Sequence, residues 1–225
     1  MINLSTDTYI ISDLHFFHGN IIKYCNRPYT VTGNNYFENK EEIDRMNEDI
    51  LKIFDELPKN CDIYNLGDIF FSGRSNKKYF LENIDILKSI VNRMSNNGNR
   101  RLYLVLGNHD DLHFENKNRI SFYEELGFNK VYDTPIIIEN NNILCHEPVY
   151  SNGYFKVIYG HTHDYLVKED YFTYDYENYA KEKRKNPDAS LQIKFPEKII
   201  NPDDYINVCY DCNHKFLRLQ DIIRK

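Results

Sequence analysis

Five short stretches of the chain carry side chains that commonly bind metal ions. They are Asp13-Leu14-His15, Gly67-Asp68, Gly107-Asn108-His109-Asp110, His146 and Gly160-His161-Thr162-His163. Mixed carboxylate, amide and imidazole ligands suit Mn, Fe, Zn or Ni better than Ca or Mg, and the absence of cysteine from the set argues against a structural zinc site. The candidate ligands are Asp13, His15, Asp68, Asn108, His146, His161 and His163. They are too many for one tetrahedral ion, so we expect two divalent metal ions that share a bridging ligand, with Mn as the first choice.

The spacing within two of these stretches suggests how ligands could be paired. On an extended chain, residues two apart point to the same side. Asp13 with His15, and His161 with His163, are therefore each expected to hold one ion. Three of the nine glycines directly precede a candidate ligand, namely Gly67, Gly107 and Gly160. Glycine permits close backbone approach and unusual dihedral angles at such points.

Each stretch follows a segment with the composition of a buried strand. These predicted strands cover residues 8–12, 63–66, 101–106, 143–145 and 155–159. A hairpin is predicted between 135–138 and 143–145, and a last strand at 206–210. Apolar periodicity predicts helices at 21–25, 39–57, 77–94 and 120–126, with Asn20 and Asn39 as N-caps. Because α/β sheets hold their sites at the carboxyl ends of strands, we expect the five stretches to meet at one edge.

Strands alternate with helices early and dominate late, which predicts an α/β fold with more than one sheet layer. The length of 225 residues predicts a single domain, 1–225, with an inserted excursion at about 165–204 that is rich in tyrosine and charge. The tyrosines there either pack or form a lid that stacks a base over the site. The net charge of -6 argues against a stable nucleic-acid partner. No apolar run approaches the ~20 residues of a membrane span.

Five cysteines without a framework spacing fit a reducing compartment, so we expect a cytoplasmic protein. The sequence is compatible with a homo-oligomer and does not specify one.

The order of the five stretches resembles that of the calcineurin-like metallophosphoesterase superfamily, over residues 9–163 and again at 207–208. The opening SDLHFFHGNIIKYCNRPY and the closing NVCYD are similar to a small phage and bacterial subgroup. The resemblance implies a layered αββα sandwich of two mixed β-sheets flanked by helices. It also implies a ligand set for each ion: Asp13, His15 and His163 for the first, Asn108, His146 and His161 for the second, and Asp68 as the bridge.

The function implied by this resemblance is a dinuclear metal-dependent phosphoesterase acting on a phosphodiester or nucleotide-like phosphate. A metal-bridging hydroxide would attack phosphorus. His109 would act as the general acid that protonates the leaving alkoxide. Asp110 would either orient His109 or contact the N-terminal loop. Four further side chains are predicted to contact the small phosphate ester or nucleotide substrate, namely His18, Asn20, Arg27 and Arg74. The two arginines would bind the phosphate group. His18 and Asn20 would either contact the substrate or hold the metal-binding side chains in position.

One departure from the family pattern argues against a protein phosphatase. Serine/threonine phosphatases of the superfamily carry a second Asp three residues after the bridging one, followed by Arg, whereas this chain has Phe71 there. The alternatives left open are a phosphomonoesterase and a catalytically inactive metal-binding scaffold for protein assembly. The presence of His109 favours an enzyme over the scaffold, and the short acidic chain disfavours a nuclease subunit.

Overall fold

The computed structural model describes residues 4–5, 7–33, 35–71, 73–112, 118–151, 153–163 and 201–223, with side chains left out at 73–76. The excursion predicted at 165–204 lies outside these residues up to position 200, and so does the side chain of Arg74. Pro202–Asp204 forms a short 3-10 helix.

Two mixed β-sheets form the centre of the described chain, as predicted. The strands of the first sheet are β1 (Thr8–Ile11), β2 (Asp62–Asn65), β3 (Arg101–Val105), β4 (Lys130–Tyr132) and β9 (Leu217–Arg218). Their order is β4-β3-β2-β1-β9, and β9 alone runs antiparallel to its neighbour. The strands of the second sheet are β5 (Ile136–Ile138), β6 (Asn142–Leu144), β7 (Lys156–Tyr159) and β8 (Tyr205–Asn207). Here β5 and β6 form the predicted antiparallel hairpin, and β6, β7 and β8 run parallel.

Helices flank the sheets and bury apolar side chains against them. The helices are α1 (Gly19–Tyr24), α2 (Lys40–Asp55), α3 (Gly73–Glu82), α4 (Ile84–Met94), α5 (Arg119–Leu126), α6 (Tyr210–Asn213) and α7 (Leu219–Ile223). Helix α2 buries Ile43, Met46, Ile50 and Phe54, whose spacing places them on one face. None of the helices in the described part of the chain combines the length and apolarity needed to cross a membrane.

Several local predictions are wrong for identifiable reasons. The single helix expected at 77–94 is two helices, because Asn83 leaves the helical conformation and its side chain donates to the Tyr79 carbonyl at 2.9 Å. Asn39 does not cap α2 with its side chain, which accepts instead from the amides of Thr32 and Gly33. Asn20 lies inside α1, which begins after His18. The strand predicted at 206–210 is shorter, because α6 begins at Tyr210.

Side chains alternate between two hydrophobic cores along the first sheet, as the two-residue period of a strand requires. Ile11 and Ile63 face the helices, whereas Ile10 and Tyr64 face the second sheet and pack with its residues, including Ile158. The carboxyl ends of β1, β2 and β3 therefore open at an edge that the ends of β6 and β7 share. The five candidate stretches follow these strand ends.

Candidate metal centre

The structure brings all seven predicted ligands together as two adjoining groups. In each of two clusters, the atoms able to bind metal lie within 4.8 Å of one another: Asp13, His15 and Asp68 form one, and Asp68, His146 and His161 form the other. Asp68 belongs to both. The polar side chains at five strand ends thus converge on one site.

The first donor group consists of Asp13, His15 and His163. Asp13 Oδ1 lies 3.9 Å from His15 Nε2 and 3.6 Å from His163 Nε2, and the two Nε2 atoms are 3.3 Å apart. The side chains of Asp13 and His15 are fully buried. Burial holds the pKa of His15 well below its usual value, which favours the neutral imidazole that can bind a cation.

The second donor group consists of Asn108, His146 and His161. His146 Nε2 lies 2.9 Å from Asn108 Oδ1 and 3.2 Å from His161 Nδ1. Asn108 Oδ1 lies 3.0 Å from the same His161 nitrogen. When neutral, His146 can donate its Nδ1–H to the Leu66 carbonyl at 2.7 Å, which directs the Nε2 lone pair into the group.

Asp68 connects the two groups through a single oxygen. Its Oδ2 lies 3.7 Å from His15 Nε2 and 3.4 Å from His146 Nε2. Its Oδ1 accepts from the amide of His109 at 2.8 Å. Burial alone would raise the pKa of Asp68, but the His146 imidazole and the His109 amide hold this pKa below the usual value. The lowered pKa favours the carboxylate form of Asp68 between the two groups.

The donor set fits metal ions. Asp13 Oδ1 is buried and accepts no hydrogen bond from any described residue. Imidazole nitrogens also face one another across each group at 3.2–3.3 Å. Buried lone pairs that converge without donors are costly unless a proton or cation lies between them.

Residue offsets predict that Asp13 pairs with His15 and that His161 pairs with His163. The structure places Asp13 and His15 in one donor group and His161 and His163 in different groups. His163 joins the first group, whereas His161 joins the second. The offset argument assumed extended backbone, but all four residues have left-handed backbone, with φ of 60° and 53° at Asp13 and His15 and of 69° and 48° at His161 and His163, so the offset decides neither pairing. Asp68 shares this positive φ. Such strain typically persists where surrounding structure fixes a functional site.

Two of the predicted glycines allow close backbone approach. A Cβ on Gly107 would lie 2.2 Å from Asp68 Oδ1, and a Cβ on Gly160 would lie 1.9 Å from Ser12 Oγ and 2.4 Å from Asp13 Oδ2. A side chain at either position would displace a carboxylate of the centre. Glycine is thus required there for space rather than for a positive φ.

His109 lies beside the first group and outside the ligand clusters. Its ring centroid is 5.6 Å from that of His15 and 4.7 Å from that of Phe71, which meets it edge-on. Phe71, the residue that departs from the phosphatase pattern, also packs on His18 at 4.1 Å. Aromatic packing therefore surrounds His109 where protein phosphatases of the superfamily are expected to place a carboxylate.

Asp110 contacts loop backbone rather than His109. Its two oxygens accept from the amides of Asp68, Ile69 and Gly107 at 2.7–2.9 Å, so it fastens the loop after β2 to the loop after β3. Burial, together with the nearby Asp68 charge, raises the pKa of Asp110 to about 6. Asp110 thus joins the two loops that carry Asp68 and Asn108. Its hydrogen bonds differ from both predicted contacts, to His109 and to the N-terminal loop.

A cavity of about 460 Å³ opens over the first donor group. His18 and Asn20, two of the predicted substrate contacts, line it together with Tyr24, Phe71 and His109. Burial lowers the pKa of His18 to about 3, so its ring is neutral. A second cavity of about 320 Å³ lies against the second group and is lined in part by Asn108, His146 and Arg119.

The prediction that Arg27 clamps phosphate is wrong. Its side chain is buried and donates to Asp211 at 2.7 and 2.9 Å and to the carbonyls of Asp13 and Leu14 at 3.1 and 3.0 Å. The guanidinium is directed towards Asp211 and the backbone, and it lines neither cavity.

Residues that sequence reasoning missed lie around Nδ1 of His163. Asp211 Oδ2 is 2.8 Å and Cys209 Sγ is 3.3 Å from this nitrogen, and Cys25 forms a cluster with Asp211 and His163. Cys209 and Asp211 both lie within the closing NVCYD stretch, and that stretch is the signal in the sequence that points to them. The five cysteines are free thiols.

Comparison with known proteins gives related chains. An uncharacterized protein of Methanocaldococcus jannaschii, MJ1445, is 35% identical over 126 residues, which cover 56% of this chain and 57% of that protein. The chain thus spans little more than half the length of this curated relative.

Two crystal structures are similar at low sequence identity. A protein of unknown function from Aquifex aeolicus, AQ665, is 19% identical, with a TM-score of 0.48 over 99% of both chains. The nuclease MPE of Pseudomonas putida is 19% identical, with a TM-score of 0.45 over 70% of this chain and 62% of the other.

The family model described as calcineurin-like phosphoesterase matches residues 7–211. That range begins just before β1 and ends at Asp211, so it contains both donor groups and His109. With its two mixed sheets, flanking helices and paired donor groups, the chain belongs to the calcineurin-like phosphoesterase family.

Proposed function

We propose that the protein is a dinuclear metal-dependent phosphoesterase acting on phosphodiesters or nucleotide-like phosphates. The observation that carries this proposal is the position of Asp68 Oδ2, within 3.7 Å of one imidazole from each donor group. One carboxylate oxygen placed between two sets of donors suits a bridged pair of ions. Membership of the family supports the same chemistry.

The donor groups define which residues would hold each ion. Asp13, His15 and His163 would hold one, Asn108, His146 and His161 the other, and Asp68 would bridge them. The mixed oxygen and nitrogen donors favour Mn, with Fe, Zn and Ni as alternatives. When bound, such a pair activates water and neutralises charge on the phosphoryl oxygens.

His109 is proposed to hold the proton that the leaving oxygen receives. It lines the cavity beside the first group and lies outside both ligand clusters. Its backbone amide is fixed by Asp68, and Phe71 packs against its ring. A positioned general acid of this kind contributes about 10²–10⁴-fold to the rate.

The two cavities favour a diester over a monoester. The larger cavity is lined by His15, Asp68 and His161, and the smaller one by Asn108 and His146, so both lie beside the donor groups. A diester carries two organic arms, whereas a monoester carries one. Two cavities beside the donor groups offer space for two organic arms, which favours a diester.

Hydrolysis of bis-para-nitrophenyl phosphate and of para-nitrophenyl phosphate by the Mn-loaded protein tests this function, with metal content measured in parallel. We expect two ions per chain and faster turnover of the diester. The variant His109→Asn should lose about 10²–10⁴-fold in kcat and keep both ions. His214→Asn is the matched control, because His214 is exposed, directly follows α6 and lines neither cavity.

Each other outcome contradicts a stated part of the proposal. Faster turnover of the monoester would favour a phosphomonoesterase. Two bound ions without turnover of either ester would favour an inactive scaffold. Fewer than two ions per chain would refute the dinuclear centre itself.

A further inference from the structure

Arg27 is a buried cation whose donors are all used within the protein. Its side chain is 2% exposed and that of its partner Asp211 is 5% exposed. Nε and Nη2 donate to the two oxygens of Asp211, and the remaining N–H groups reach the carbonyls of Asp13 and Leu14 and the sulfur of Met46. An arginine fork engaged in this way fixes the position of whatever it holds.

What Arg27 holds is the backbone of the first ligand stretch. Its bonds to the carbonyls of Asp13 and Leu14 act on the segment between β1 and α1, where Asp13 and His15 have left-handed backbone. Residues in this conformation need support from surrounding structure. Arg27 supplies that support from below the donor group.

Asp211 connects the same arginine to the last predicted ligand. Its Oδ2 lies 2.8 Å from Nδ1 of His163, while Nε2 of His163 faces Asp13 Oδ1 and His15 Nε2. A carboxylate that accepts from one imidazole nitrogen fixes the tautomer that presents the lone pair of the other. Asp211 therefore directs Nε2 of His163 into the first donor group.

Helix α6, which carries Asp211, is fastened to the first stretch as well. The amide of Tyr210 donates to the Ser12 carbonyl at 2.9 Å, and the Arg27 guanidinium lies 5.0 Å from the centre of the Tyr210 ring. The contacts of α6 thus place Asp211 next to the first donor group.

We propose that Arg27 and Asp211 are a positioning pair that selectively builds the first metal site. The inference rests on the proposed dinuclear function. It predicts that weakening the pair lowers metal affinity at one site and leaves the other site intact. Partners of this kind typically change metal affinity about 10–100-fold.

The test measures Mn²⁺ binding, stoichiometry and thermal stability of Asp211→Asn and Arg27→Lys. Asparagine keeps the shape of Asp211 but is a weaker acceptor, and lysine keeps the charge of Arg27 but loses the planar fork. Asp62→Asn and Arg101→Lys are matched controls. Asp62 and Arg101 form a similar fork with contacts of 2.6 and 2.7 Å at the amino ends of β2 and β3, the edge away from the centre.

We expect both test variants to bind one Mn²⁺ as the wild type does and the other about 10–100-fold more weakly. Electron paramagnetic resonance should then show isolated ions where the wild type shows a coupled pair. The controls should bind both ions as the wild type does.

Two ions bound with wild-type affinity in Asp211→Asn and Arg27→Lys would overturn this inference alone. Equal weakening of both sites, with a lower metal-free melting temperature, would also overturn it, because that pattern indicates a general structural role. A wild type that binds fewer than two ions would refute the proposed function, and the inference with it.

Discussion

The substitution Gly160→Ala tests how the centre is assembled. The added Cβ would lie 1.9 Å from Ser12 Oγ, 2.7 Å from Ser12 Cβ and 2.4 Å from Asp13 Oδ2. Non-bonded carbon and oxygen atoms need more than 3 Å, so Ser12 and Asp13 must each move by roughly 1 Å, a form of overpacking. Asp13 Oδ2 accepts from the His161 amide at 2.8 Å, and that bond would be stretched or lost.

The expected cost to stability is about 1–3 kcal/mol, the usual range for overpacking a well-packed site. For a chain of this length, each kcal/mol lowers the melting temperature by about 2–4 °C. Because Asp13 belongs to the first donor group, metal affinity should also fall about 10–100-fold.

Gly98→Ala is the matched control. A Cβ there meets nothing within 4 Å, but Gly98 has a φ of +82°, so alanine costs about 1–2 kcal/mol of backbone strain. Thermal melts and Mn²⁺ titration of both variants separate lost stability from lost metal. Equal metal affinity in the two variants at similar melting temperatures would refute the argument that Gly160 makes room for Asp13.

Three further predictions follow from described contacts. Phe71→Ala should lower kcat by up to about 10²-fold by freeing the His109 ring, at unchanged metal content; an unchanged kcat would contradict this. Asp110→Asn should reduce the free energy of unfolding by about 1–3 kcal/mol, because one acceptor oxygen becomes an amide donor facing backbone N–H groups; urea unfolding measures it, and wild-type stability would count against the contact. Chelation should remove about 2.7 kcal/mol of stability from protein held at a free metal concentration of 100 times Kd; a melting temperature that does not respond would argue against a resident metal.

The residues of the candidate metal centre could be predicted from the sequence because their signals are local. Each ligand stretch directly follows its own strand, and a strand end can be recognised from neighbouring residues alone. The parallel pairing of β1, β2 and β3 then brings Asp13, Asp68 and Asn108 to one edge. The layered fold could be predicted for the same reason.

The errors concern features that depend on distant residues or on backbone conformation. The sequence does not show that Arg27 pairs with Asp211, because Asp211 lies 184 positions away in the chain. Without that partner, Arg27 is predicted to bind phosphate. The offset that pairs His161 with His163 assumes extended backbone and does not show which donor group each histidine joins. Asn83 divides a helix whose apolar period continues across it, so periodicity alone could not locate the break.

The position of Asp211 along the chain has a consequence for biosynthesis. A ribosome releases residues in sequence order, and domains begin to fold while they emerge. Asp68, Asn108, His146 and His161 all leave the exit tunnel before Asp211 and before β9 can pair with β1. If Asp211 positions His163 as proposed, the first donor group is completed only after α6 has been translated.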